Sequence, residues 1–115
     1  MATQFMTPDT ADTQFKDDGA ITRQRYRFSA SVNGAGDWVI LPPEIGDAVV
    51  SVAPSSGTAR IEYTLSSVAD VEAGTAVARN WPDGDVAGYT DSLISNSVTA
   101  IRCVSTAPTD FVVTA

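Results

Sequence analysis

With no histidine in its 115 residues, this chain lacks the commonest general base, the commonest metal ligand and every serine–histidine nucleophile arrangement. Its one cysteine, Cys103, admits no internal disulfide, and a single thiol without imidazole makes a poor zinc site. Cys103 stands in an apolar strand pattern, which predicts a buried, inert thiol. The remaining chemistry belongs to oxygen. Asp83, Asp85 and Asp91 fall in one loop region, where carboxylates could do acid–base work or hold calcium. Their spacing does not match the calcium-loop motif, and Asp83-Gly84-Asp85 reads first as a turn and solvation signal. The sequence therefore predicts no enzyme, no cofactor and no metal.

Binding is the richer reading. Arg23, Arg25 and Arg27 alternate along one stretch, so they share one face of a strand and repel unless carboxylates meet them. Those carboxylates come either from the chain itself (Asp17, Asp18 or Glu62) or from an acidic partner surface; a phosphate ligand is a minor third reading. Trp38, Trp81, Tyr63 and Tyr89 could form a sugar-stacking platform, but aromatics on small β-domains more often fill the core. Trp81, just before Pro82, is the best placed for partial exposure.

Composition narrows the partners. A net charge of −7 opposes generic nucleic-acid binding, which needs excess Lys and Arg, and opposes anionic membranes. The cations are six Arg and Lys16, and Arg suits bidentate contacts to carboxylates. A charged fraction of 18% and an apolar fraction of 43% fit one folded domain with a real core. Residues 1–10 lack the apolar core and basic flank of a signal peptide, and no apolar run approaches membrane length. The expectation is a product made in a reducing cytoplasm.

The elements that must carry these residues read as strands. Residues 1–20 have no steady periodicity and predict an extended N-terminal arm, with Phe5, Met6 and Phe15 as apolar anchors. Residues 21–115 predict one β-sandwich or jelly-roll-like domain. In the stretch ITRQRYRFSASV, Tyr26, Phe28, Ala30 and Val32 fall on one face, a half-buried strand. Asn33-Gly34 predicts a hairpin turn, with a return strand over residues 38–41 stopped by Pro42-Pro43. Residues 48–53 predict a central strand. Residues 59–65 alternate, with Ala59, Ile61, Tyr63 and Leu65 inward and Arg60, Glu62 and Thr64 outward. Arg60 and Glu62 then make a weak surface pair. Ser67 and Asp70 have capping-box spacing for one helical turn, stopped by Gly74. Residues 76–81 predict a strand, 82–84 a tight turn, and 86–97 a loop anchored by Tyr89, Leu93 and Ile94. Residues 98–105 and 111–115 predict two strands joined by a type I turn at Ala107-Pro108-Thr109-Asp110.

Residues 60–115 carry an alternating strand (RIEYTLSS), an Ala-Gly segment (VEAGTAVARNW), a Gly turn after Trp81, then VTAIRCVST and a final apolar strand. In this, together with its polar arm, the chain resembles small bacteriophage head decoration, or cement, proteins. The resemblance covers about half the chain and carries over no individual site residue. It implies a non-enzymatic virion structural protein, made in the host cytoplasm, that bridges major capsid protein subunits and forms a homo-oligomer, a trimer being favoured. The alternative is a carbohydrate- or receptor-binding β-sandwich of a phage tail or fibre. On either reading Phe5, Met6, Phe15, Arg23, Arg25 and Arg27 are the expected partner-binding residues. The arm, about 65–70 Å if fully extended, is expected to order on a neighbouring protomer or the capsid.

Overall fold

A computed structural model describes residues 3–8, 14–15, 21–23, 26–41, 47–95 and 98–115. In chain order its elements are β1 (Thr3–Phe5), β2 (Thr7–Pro8), β3 (Gln14–Phe15), β4 (Ile21–Arg23), β5 (Tyr26–Ala35), β6 (Trp38–Ile40), β7 (Asp47–Pro54), β8 (Ala59–Thr64), α1 (Val68–Ala73), β9 (Arg79–Asn80), β10 (Thr90–Ser95) and β11 (Ala100–Thr114). The protein is all-β, as its period-two patterning requires: nine strands form one mixed sheet, and β3 and β4 pair separately.

The architecture turns on β11, which is one strand of fifteen residues and not the two strands expected. Its first half pairs with β8 and β6, and its second half with β7 and β5. The register against β5 shifts between Ser105 and Thr109, so Thr106, Ala107 and Pro108 form a bulge that bends the strand. Pro108, which has no N–H to offer a ladder, sits inside that bulge, and its carbonyl accepts from the backbone N–H of Ser55 at 3.0 Å. The connection from β7 to β8 bends alongside, with Thr106 donating its N–H to the Thr58 carbonyl at 2.9 Å. Two layers result, with the core between them.

Asn33-Gly34 makes no hairpin. Gly34 has φ +87° within β5, opposite Ser105, so its positive φ serves the bulge. β6 exists as predicted, but it pairs with β11 and, in parallel, with β1. Pro42-Pro43, its expected stop, lies outside the described residues.

One layer contributes Val39, Ile61, Ile101 and Cys103 to the core; the other contributes Val50, Val52, Ile94, Phe111 and Val113. The inward face of β5 is as predicted, with Tyr26, Phe28, Ala30 and Val32 against this core and the Phe28 ring edge-on to Phe111 at 6.1 Å. Met6 joins the same core at 5% exposure. The boundary expected at residue 20 is therefore not where the sheet begins. β1 and β2 are strands of the main sheet, because Met6 finds more apolar contact there than solvent offers.

The first layer has a second cover. Helix α1 is capped as predicted, the Ser67 side chain accepting from the Asp70 N–H, and Gly74 closes it at φ +79°. Its Val71 packs against Trp38, Ile40 and Ala100 in a smaller cluster. Both faces of β8 are covered there: Ala59 and Ile61 are buried as expected, Glu62 and Thr64 on the expected outer face are buried too, and Leu65, expected inward, is exposed. The loop expected over residues 86–97 contains the six-residue strand β10, and the strand expected over residues 76–81 shrinks to Arg79–Asn80.

Candidate interaction face

The second layer, in the order β10-β7-β11-β5, has no helix on its outer side among the described residues. Antiparallel register aligns its outward side chains in rows across the strands. Leu93, Val49, Thr114 and Arg27 form one row, and Asp91, Ser51, Val112 and Ser29 the next. Tyr89, just before β10, is 71% exposed, and Leu93 is 60% exposed. Val49 is exposed as well. Tyr89 and Leu93, expected as core anchors, thus point to solvent. Ser92 and Ile94 take the inward positions of β10, and side chains alternate strictly across a strand. A shallow groove of about 390 Å³ crosses this face, bordered by Tyr89, Asp91 and Asp110 over a floor that includes Ser51 and Val112. The signal for this face lay in residues 47–53, where Val49, Ser51 and Ala53 alternate with Ala48, Val50 and Val52.

The expected partner-binding residues separate. Met6 sits in its own chain's core instead of on a partner surface. Phe5, in the parallel pair with β6 opposite Ile40, is 58% exposed. Phe15 lies in β3, paired with Ile21 of β4; its side chain and that of Arg23 lie outside the described residues, as do Arg25, Asp17 and Asp18. Arg23 lies in β4 and Arg27 in β5, and the ladder expected to join them passes through Arg25, outside the described residues. Arg27 is exposed at the end of the outward row, opposite Thr114.

Glu62, offered as a partner for that ladder, is engaged elsewhere. Its Oε1 accepts from Arg102 Nη2 at 2.7 Å and Nε at 2.9 Å, and its Oε2 from Arg60 Nε at 2.8 Å. Arg102 also lies over the Trp38 ring, 4.5 Å from its centroid, a cation–π contact. Burial pushes the Glu62 carboxyl up, but the hydrogen bonds and charges of Arg102 and Arg60 outweigh it and hold it below its usual 4.5. This cluster ties β6, β8 and β11 together; every group in it is already paired, so it serves architecture.

The other chemical candidates are also structural. Trp38 is buried, and Tyr63 and Trp81 are half-buried and pack edge to face at 5.6 Å, which leaves Tyr89 as the exposed one of the four aromatics. Asp83 accepts from the Ser92 hydroxyl, and Asp85 lies 3.6 Å from Arg60. Among the described residues, no group of three or more His, Cys, Asp or Glu could hold a metal. Cys103 is buried, and desolvation pushes its thiol up to about 11.

The fold defines an all-β sandwich whose β10-β7-β11-β5 face is uncovered among the described residues. Comparison with protein-family models, curated proteins and solved structures found no match to the chain.

Proposed function

We propose that this chain is a non-enzymatic virion structural protein, a decoration or cement protein that docks on major capsid protein subunits and assembles as a homo-oligomer. The observation that carries the reading is the uncovered outer face of β10, β7, β11 and β5, where Val49, Tyr89 and Leu93 are exposed together. Apolar groups gathered on one sheet face, rimmed by charge, fit a docking surface better than a solvated one. The exposed Phe5 extends the apolar surface available at the edge of the other layer. The test is co-expression with a candidate major capsid protein, followed by sedimentation of particles. The native chain is expected to travel with the particles, and Val49→Asp to stay behind while remaining folded. Equal sedimentation of the two overturns the reading.

A second reading has its own observation. Tyr89 stands exposed at a groove that also carries Asp91 and Asp110, an aromatic face beside carboxylates that can accept from sugar hydroxyls. A receptor- or carbohydrate-binding module is expected to give glycan-array signal that Tyr89→Ala removes.

A further inference from the structure

The outer face ends on a strand edge unlike the other edges of the main sheet. Among the described residues, β10 is paired on one side only, with β7. The edge strands β1, β2 and β9 have three, two and two residues, and β2 contains a proline. β10 has six residues, TDSLIS, without proline, lysine or arginine. On an antiparallel edge every second residue turns both its N–H and its C=O outward, so six residues offer about three donors and three acceptors. Natural proteins blunt such edges with prolines, lysines, bulges or brevity, and β10 has none of these. The outer edge of β5 beyond Arg27 is also open among the described residues, but it runs into the bulge at Gly34 and carries Arg27 beside it.

We infer that β10 is an acceptor for an extended partner strand, and that the partner strand is basic. Charge chooses the occupant. The outward residues of β10 are Asp91 and the exposed Leu93, and Asp110 stands in the same groove as Asp91. A partner residue directly opposite Asp91 is stabilised if it is Lys or Arg, and its neighbour two residues away, beside Leu93, if it is apolar. A second copy of this chain is disfavoured at this edge because pairing β10 with β10 brings the Asp91 and Asp110 carboxylates of both copies to one surface. The occupant is therefore a segment of another protein with a basic and an apolar residue two positions apart on one face, joined by main-chain hydrogen bonds as in other strand additions. This inference rests on the outer face being a docking surface and names what docks at its rim.

The test uses the full chain and three eight-residue peptides: one with Lys and Val alternating along one face and Ser between them (Lys-Ser-Val-Ser, repeated), the same peptide with Glu for Lys, and the Lys–Val peptide N-methylated at every residue. Amide exchange and chemical shifts are read residue by residue. The Lys–Val peptide is expected to slow exchange along residues 90–95, and the other two to leave it unchanged. Asp91→Lys is expected to weaken Lys–Val binding about fivefold or more and to admit the Glu–Val peptide. No protection of residues 90–95, equal protection by the N-methylated or Glu–Val peptide, or protection along β5 instead overturns the inference. Absent peptide binding with particle attachment still lost in Val49→Asp removes the strand and keeps the docking face. Intact peptide binding with attachment indifferent to Val49→Asp removes the proposed function and keeps the edge.

Discussion

Arg102 and Glu62 are register partners across the β8–β11 ladder, and two guanidinium nitrogens of Arg102 converge on one carboxylate oxygen, at 2.7 and 2.9 Å. Removing one partner of a buried ion pair strands the other charge. Glu62→Ala is expected to cost about 3–5 kcal/mol, read as a lower urea midpoint with an unchanged slope. Arg60→Ala is expected to cost less, about 1 kcal/mol, because its side chain is 36% exposed and water replaces part of what is lost. A double-mutant cycle on Arg102 and Glu62 is expected to show coupling well above that of Arg60 and Glu62.

The same carboxylate makes stability depend on acid. Its folded-state value lies below the usual 4.5, so the folded chain binds this proton less readily than the unfolded chain. The stabilisation is therefore complete above about pH 4.5 and is lost as pH falls from there through the depressed folded value. Urea midpoints measured downward from pH 6 are expected to fall across that window. Glu62→Gln, which cannot titrate, is expected to start less stable and to show a flatter acid limb.

Met6 and Phe5 are neighbours on the chain with opposite energetics. Met6→Ala removes a core side chain and is expected to cost about 2–4 kcal/mol. Phe5→Ala removes an exposed ring and is expected to stay within about 0.5 kcal/mol. Thermal unfolding of the two variants checks both. Phe5→Ala is the variant expected to weaken particle attachment without weakening the fold.

Two glycines at positive φ are predicted to differ. At Gly57, φ +63°, an added Cβ would stand 2.3 Å from the Thr106 hydroxyl oxygen, which accepts from the Thr58 N–H at 2.9 Å. Gly57→Ala must both adopt a left-handed backbone and displace that bond, at about 2–3 kcal/mol. At Gly34, φ +87°, nothing stands within 4 Å, so Gly34→Ala is expected to cost only the backbone term, about 1 kcal/mol. Equal losses in chemical denaturation refute the contact with Thr106.

Much of the local structure was legible because it depends on neighbours along the chain. The alternation of Tyr26, Phe28, Ala30 and Val32 marks a strand wherever that strand goes, and Ser67, Asp70 and Gly74 cap a helical turn with their own atoms. The exposure of Leu93 and Tyr89 was not legible. Leu93 and Tyr89 are apolar, and apolar residues are expected inside; they lie outside because Ser92 and Ile94 occupy the core positions of β10. Residues 107–110 carry every local mark of a reversing turn, yet the ladder with β5 holds both flanks of Pro108 in one strand.

Composition and periodicity by themselves determined that this chain is a small acidic β-protein without histidine chemistry, because those properties are sums over residues or repeats between near neighbours. Only the tertiary structure decided which faces are covered. Helix α1 packs on one sheet through Val71, and on that sheet Glu62 is a buried partner of Arg60 and Arg102 instead of a surface charge. The other sheet keeps Val49, Tyr89 and Leu93 in solvent. A two-residue period shows that a strand has two faces, but which of them meets another layer depends on contacts between residues far apart in the chain, such as Val71 of α1 with Trp38 and Ile40.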